Sequence, residues 1–163
     1  RKIQNKMIFY LEDVFIEGNE DSLLVNKDDL LKCLKIMNNE LNTSKSYDAK
    51  LLISLKFTDK EEMKRLNNSF GSKKGETNVL AFDPDIELKD ENNRVIGDIA
   101  ICMDVVRQES MEQNKLITHH FYHLFIHGIL HLLGFVHNSK KEASIMEGME
   151  ISLLKKIGIA DPY

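Results

Sequence analysis

The sequence has 163 residues, a length that predicts one compact domain, 1–163, with a single core and room for one active site. Hydrophobic residues make up 42% and charged residues 29%, which excludes disordered, collagenous and membrane-spanning classes of protein. The formal net charge of −4 excludes a protein that holds nucleic acid mainly through bulk positive charge, but it leaves room for a small basic patch.

The predicted elements begin as alternating strands and helices and end in three consecutive helices. Strands are predicted at 6–11, 50–57, 78–82 and 95–103, and helices at 27–41, 59–70, 104–113, 116–133 and 139–157. Acidic or polar loops are expected at 12–21 and 83–93. This order predicts an α+β fold in which helices pack over a four-stranded mixed sheet.

Individual residues predict three of the helix ends. Thr58, followed by Glu61 three residues later, predicts a capping box that opens the second helix. Glycines at both ends of the segment 71–75 predict where that helix stops, and Gly158 closes the last helix.

The cysteines and the hydropathy profile favour a cytosolic protein. Cys33 and Cys102 lie far apart in apolar surroundings and form no C-x-x-C motif, which is typical of reduced thiols in a core. No apolar run approaches the roughly 18 residues of a membrane helix, and the first residues lack the apolar stretch of a signal peptide.

All six histidines lie between positions 119 and 137, on and just after the long fourth helix, and this clustering predicts a metal site. His127 and His131 are four residues apart, so their rings project from the same face of successive helical turns. Gly134 can adopt the left-handed conformation that ends a helix, so the chain can fold back and bring His137 to the same ion. Three histidines leave an open position on a tetrahedral zinc, as in catalytic sites.

The remaining histidines leave alternatives open. His119 and His123, and likewise His123 and His127, have the same four-residue spacing, but neither pair has a third histidine after a glycine turn. We expect His123 to support the ligands or line the cleft, and His119 and His120 to be surface or partly buried groups.

The same spacing occurs in metzincin proteases, in which a general-base Glu follows the first histidine. Here that position is Gly128. A positioned carboxylate typically contributes about 10² to 10⁴-fold to the rate, so the peptidase hypothesis is the weaker one.

The residues resemble the YbeY family of bacterial metallo-endoribonucleases over about 50–157. The resemblance rests on HGILHLLGFVH at 127–137, preceded by His123, together with TNVLAF at 77–82 and GDIAI at 97–101. It also includes the spacing from Leu66, Asn67 and Phe70 to Thr77, and the pair Met146 and Glu150 in the last helix. Gly71 and Val136 depart from the Arg and Asp usual in the family.

The resemblance implies one Zn²⁺ per chain held by His127, His131 and His137. It also implies cleavage of single-stranded RNA in 16S rRNA 3′-end maturation and ribosome quality control. The expected partners are ribosomal RNA and the small ribosomal subunit, with no membrane and no DNA.

The residues expected to touch RNA are basic. We expect Lys73, Lys74 and Arg107 to do so, and Lys64 and Arg65 less strongly. Thr77, Asn78 and Phe82 either line the groove or belong to a core strand, while Met146 and Glu150 supply a helix face and a polar partner near the site.

Three functional hypotheses follow: a zinc endoribonuclease, a zinc hydrolase of another substrate class such as a peptidase, and a non-catalytic ribosome-associated zinc protein. For the first, attack by zinc-activated water and attack by the RNA 2′-hydroxyl both remain open.

Overall fold

The computed structural model describes residues 7–70 and 77–163. Its strands are β1 (Phe9–Gly18), β2 (Ala49–Thr58), β3 (Val79–Phe82) and β4 (Arg94–Cys102). Its helices are α1 (Lys27–Glu40), α2 (Lys60–Phe70), α3 (Met103–Glu112), α4 (Ile117–Leu132) and α5 (Lys140–Lys156). Short 3₁₀ turns occupy Glu20–Leu24 and Ile86–Leu88.

The four strands form one mixed sheet in the order β1-β2-β4-β3. β1 pairs with β2 and β2 with β4 in parallel, while β3 pairs antiparallel with β4. The α+β fold with a four-stranded mixed sheet, predicted from the sequence, is therefore confirmed.

The core lies mainly on one face of the sheet because side chains alternate along each strand. Inward residues of β2 such as Leu51, Ile53 and Leu55 are fully buried in a cluster that also includes residues of α1, α4 and α5. The other face carries a smaller cluster, in which Met63 of α2 packs with Ala100 and Cys102. α4 thus lies within the main core.

α4 approaches the sheet closely at Gly128. A Cβ atom at this position would lie 3.2 Å from Cδ1 of Ile99 in β4, which is tighter than ordinary van der Waals contact. Gly128 therefore faces the sheet, and its small size sets the distance between α4 and β4.

Two sequence predictions about boundaries were wrong. The first strand extends from Phe9 to Gly18, through the segment expected to be an acidic loop. β1 is an edge strand, so it can carry exposed residues such as Phe15 and Glu17 while Val14 is buried. The start of the predicted range, residue 6, lies outside the described residues.

The cap of α2 is Asp59, whose Oδ1 accepts a hydrogen bond from the Glu62 N–H at 2.7 Å. Thr58 was predicted to be the cap, but it ends β2 with its hydroxyl buried and without a hydrogen-bond partner among the described residues. The predicted helix stop at 71–75 lies outside the described residues.

The last helix begins as expected. Ser139 and Glu142 form a reciprocal capping box at the start of α5, and Gly158 follows its end with φ +83°.

The outer edge of β1 is held by a side chain of α1. Asn38, buried, accepts a hydrogen bond from the Leu11 N–H and donates one to the Leu11 carbonyl, each at 2.9 Å. Leu11 lies at the point where the β1–β2 register shifts. The Asn38 amide therefore replaces a neighbouring strand at this bulge.

The cysteines behave as predicted from the sequence. Cys33 and Cys102 are both buried free thiols, and burial raises the pKa of Cys33 to about 12. Among the described residues, no helix is long and apolar enough to cross a membrane.

Candidate metal centre

The three predicted ligands come together at the end of α4. His127 and His131 project from successive turns, and Gly134, just after the C-cap residue Leu133, has φ +101°. The Phe135 N–H donates to the carbonyl of Leu130 at 3.0 Å, which completes the helix end. The chain then reverses and places His137 beside the other two rings.

In the described part of the chain, His127, His131 and His137 form the one group able to hold a metal ion, with ligand nitrogens all within 4.8 Å of one another. The ring centroids are 4.7 Å apart for His127 and His131, and 4.9 Å apart for His131 and His137. Two of the side chains are half-buried and His137 is exposed, so the group opens to solvent on one side. The three side chains are therefore close enough to one another to hold a single ion.

A buried carboxylate from α5 fixes the orientation of His127. Glu150 is fully buried, and its Oε2 lies 2.6 Å from Nδ1 of His127. Its Oε1 lies 2.7 Å from Nε2 of His123. Burial alone would raise the pKa of Glu150, but hydrogen bonds from His123, His127 and Tyr163 outweigh that effect and lower it to about 2.

An ionised carboxylate only accepts hydrogen bonds, so both histidines donate to Glu150. His127 therefore carries its proton on Nδ1, which leaves the Nε2 lone pair free for a metal ion. This carboxylate–histidine arrangement is the usual support of a metal-ligating histidine.

The charge state of His131 also suits a metal ligand. Burial, together with the repulsion from His127 and His137, lowers the pKa of His131 to about 4. His131 is thus neutral at physiological pH, as a ligand must be. Three imidazole ligands with one open position fit a zinc ion better than the oxygen-seeking ions Mg²⁺ and Ca²⁺.

Tyr163 is a further residue of this site, and no sequence motif predicted it. Its hydroxyl donates to Oε1 of Glu150 at 2.5 Å and lies 3.1 Å from Nε2 of His123. Burial raises the pKa of Tyr163, and the hydrogen bond to Glu150 raises it further, so the hydroxyl stays protonated. Tyr163 lies beyond the segment of family resemblance and has no periodic neighbours, so no sequence signal marked it.

A second polar group lies at the other end of α4. Glu109 of α3 accepts hydrogen bonds on Oε1 from Asn78, at 2.9 Å, and from Nε2 of His120, at 2.8 Å. His120 is buried, because the first turns of α4 pack against α3. His120 was predicted to be a surface or partly buried group, but it is buried. Asn78, predicted to line the groove or to belong to a core strand, shares the Glu109 carboxylate with it.

Of the residues predicted to contact RNA, the structure describes Arg107, Lys64 and Arg65. Arg107 forms ion pairs with Asp104, at 2.9 Å, and with Asp21, so its guanidinium already has two carboxylate partners. Lys64 and Arg65 are exposed on α2. Lys73 and Lys74 lie outside the described residues.

A cleft of about 340 Å³ opens beside His131. It lies between the end of α4 and the loop after β3, and its lining includes Asp83, Pro84, Ile86 and Phe135. This cleft gives the metal centre a recess with one acidic and several apolar walls.

Comparison with known proteins identifies the family. The model of the endoribonuclease YbeY family matches residues 15–158, which is most of the chain. The chain belongs to the YbeY family of endoribonucleases. The resemblance stated from the sequence motifs is thereby confirmed, and the alternatives of a peptidase and a non-catalytic protein gain no support.

Curated relatives agree over nearly the whole length. Endoribonuclease YbeY from Francisella tularensis subsp. tularensis is 35% identical over 165 residues, covering 99% of this chain and 92% of the relative. Endoribonuclease YbeY from Francisella tularensis subsp. novicida is 36% identical over 149 residues, covering 90% and 89%. This YbeY-family chain is therefore a hydrolase acting on RNA.

A solved structure supports the fold. The solution structure of TM1509 from Thermotoga maritima matches with a TM-score of 0.53 and 24% identity, covering 88% of this chain and 91% of that one. Gly128, at the position where metzincins carry their general-base Glu, faces Ile99 of the sheet.

Proposed function

We propose that this YbeY-family endoribonuclease cleaves single-stranded RNA with one zinc ion held by His127, His131 and His137. The observation that carries the proposal is the convergence of three imidazole side chains within 4.8 Å, one of them oriented by a buried carboxylate. Zinc in such a site supplies an activated water at neutral pH and stabilises negative charge on a phosphoryl oxygen.

The chain's own residues supply orientation. Glu150 accepts the Nδ1 proton of His127, which would leave Nε2 to hold the ion, while His123 and Tyr163 hold Glu150 in place. The exposed side of His137 leaves the centre open to a strand of RNA. The recess beside His131 can accept a nucleotide that flanks the cleaved bond.

We further propose that the substrate is the 3′ end of 16S rRNA in the small ribosomal subunit, in the cytoplasm, with a role in ribosome quality control. The resemblance over 50–157 supports this proposal, as do the curated relatives named endoribonuclease. Of the basic residues, Lys73 and Lys74 remain the predicted contacts to RNA, together with Arg107 if its pairs with Asp21 and Asp104 open.

The test is cleavage of a single-stranded RNA by zinc-loaded protein and by His127→Ala, His131→Ala and His137→Ala. Each variant should lose zinc and cleavage while keeping the circular dichroism spectrum of the parent. His119→Ala is the matched control, because His119 lies on the same helix but outside the metal group. Undiminished cleavage by the three variants would overturn the proposal.

The ends of the RNA product separate the two chemical routes. A 2′,3′-cyclic phosphate would show that the RNA 2′-hydroxyl attacks the phosphorus and would eliminate direct attack by water.

A further inference from the structure

The segment after α5 brings an aromatic hydroxyl to the metal centre. The Tyr163 hydroxyl donates to Oε1 of Glu150 at 2.5 Å, while Oε2 of the same carboxylate lies 2.6 Å from Nδ1 of His127. We propose that Tyr163 is a positioning residue that acts on the metal centre through Glu150. The inference rests on the proposed function, because it assumes that His127 binds the metal.

The segment 158–163 is anchored at several points, so the position of Tyr163 is defined. Ile159 is buried, and its N–H donates to the carbonyl of Leu154 at 2.9 Å. Nζ of Lys115 donates to the carbonyl of Pro162 at 2.9 Å. The Tyr163 ring packs edge-on against His123, with centroids 5.3 Å apart.

The hydrogen bonds show how the effect is transmitted. Glu150 is buried, and its two oxygens belong to one rigid carboxylate group, so a donor that fixes Oε1 also fixes the position of Oε2. Oε1 has two such donors, His123 and Tyr163. Oε2 in turn holds the Nδ1 proton of His127. Loss of the Tyr163 hydroxyl leaves Oε1 with His123 as its remaining donor, so the carboxylate holds His127 less firmly.

Although Tyr163 is 61% exposed as a whole residue, its hydroxyl is bonded inside the protein. Replacement by Phe removes the hydroxyl and keeps the ring, so the fold should be retained. Tyr122→Phe is the matched control: it is the same change on α4, where the Tyr122 ring packs edge-on against Phe121 and Phe125.

The experiment measures the zinc dissociation constant by competition with a chromophoric chelator, for the parent, Tyr163→Phe, Glu150→Gln, the double variant and the Tyr122→Phe control. The visible spectrum of the cobalt-loaded proteins gives a second readout. Supporting residues of metal ligands typically contribute about 10 to 100-fold to affinity, so Glu150→Gln should weaken binding by that amount. Tyr163→Phe should weaken it by a smaller factor, about three to tenfold, because His123 still holds Oε1.

The double variant decides whether Tyr163 acts through Glu150. If it does, adding Tyr163→Phe to Glu150→Gln should cause little further loss of affinity. An unchanged zinc affinity and cobalt spectrum in Tyr163→Phe would overturn the inference, as would fully multiplicative losses in the double variant. A parent protein that binds no zinc would overturn the proposed function itself, which keeps the two failures distinct.

Discussion

At the scale of single residues, the proposed metal centre depends on a backbone conformation as well as on three imidazoles. Gly134 has φ +101°, a region that side-chain-bearing residues rarely occupy, and the chain reversal there brings His137 beside His127 and His131. The H-x-x-x-H-x-x-G-x-x-H spacing predicts this turn, since Gly is the residue that tolerates such a φ. The hydroxyl of Tyr163 has no such local signature.

Gly134→Ala should lower the free energy of unfolding by about 1–2 kcal/mol, because a Cβ atom is strained in the left-handed region. It should also weaken zinc binding, since relief of that strain moves His137. Denaturant titration and zinc competition measure the two effects.

Gly148→Ala is the matched control for this change. Gly148 lies inside α5, and a Cβ there would meet nothing within 4 Å, so alanine should stabilise the helix by about 0.5–1 kcal/mol. Equal effects of the two substitutions would contradict the role assigned to the Gly134 turn.

At the scale of elements, prediction from sequence succeeded where periodicity was strong and failed where tertiary contacts decide. The alternation in β2 and the apolar face of α1 gave these elements within two residues at each end. The prediction ended β1 too early, because the acidic residues of this exposed edge strand are also typical of a loop. Thr58 was predicted as the cap of α2, but β2 extends through Thr58 and the cap is Asp59; no local rule specifies where β2 ends.

The pairing of Arg107 with Asp21 shows the same limit at longer range. The two residues are far apart in sequence and meet only because the turn after β1 lies beside α3. Charge alone marked Arg107 as a candidate for RNA contact, and only the fold reveals its carboxylate partners.

Asn38→Ala tests the contact between α1 and the edge of β1. It leaves the buried N–H and carbonyl of Leu11 without partners, and each such group typically costs about 1–3 kcal/mol, so stability should fall by at least about 2 kcal/mol. Asn39→Ala, at the exposed neighbouring position, should change stability by less than about 0.5 kcal/mol. Equal stability of the two variants by urea titration would show that the Asn38 amide does not hold the strand edge.

At the scale of the whole molecule, the net charge of −4 argues for an enzyme that holds RNA through its metal centre and a few local contacts. Binding of single strands through Z phosphate contacts gives a slope of about −0.7Z in a plot of log affinity against log salt. A protein that binds RNA through a large excess of positive charge gives a steep slope. The composition of this chain shows no such excess.

We therefore expect a slope no steeper than about −2, which corresponds to roughly three phosphate contacts. The binding of single-stranded RNA to zinc-free His137→Ala protein across a salt series gives this value without interference from cleavage. A steeper slope would mean that the chain presents more positive charge to RNA than its composition suggests.

The most direct test of the central claim is a zinc titration of chelator-treated protein, with cleavage of a single-stranded RNA as the readout. The three-histidine centre predicts no cleavage without metal and activity that rises to a plateau at one zinc per chain. Cleavage that persists in the metal-free protein would contradict the assignment of His127, His131 and His137 as the ligands of a catalytic zinc.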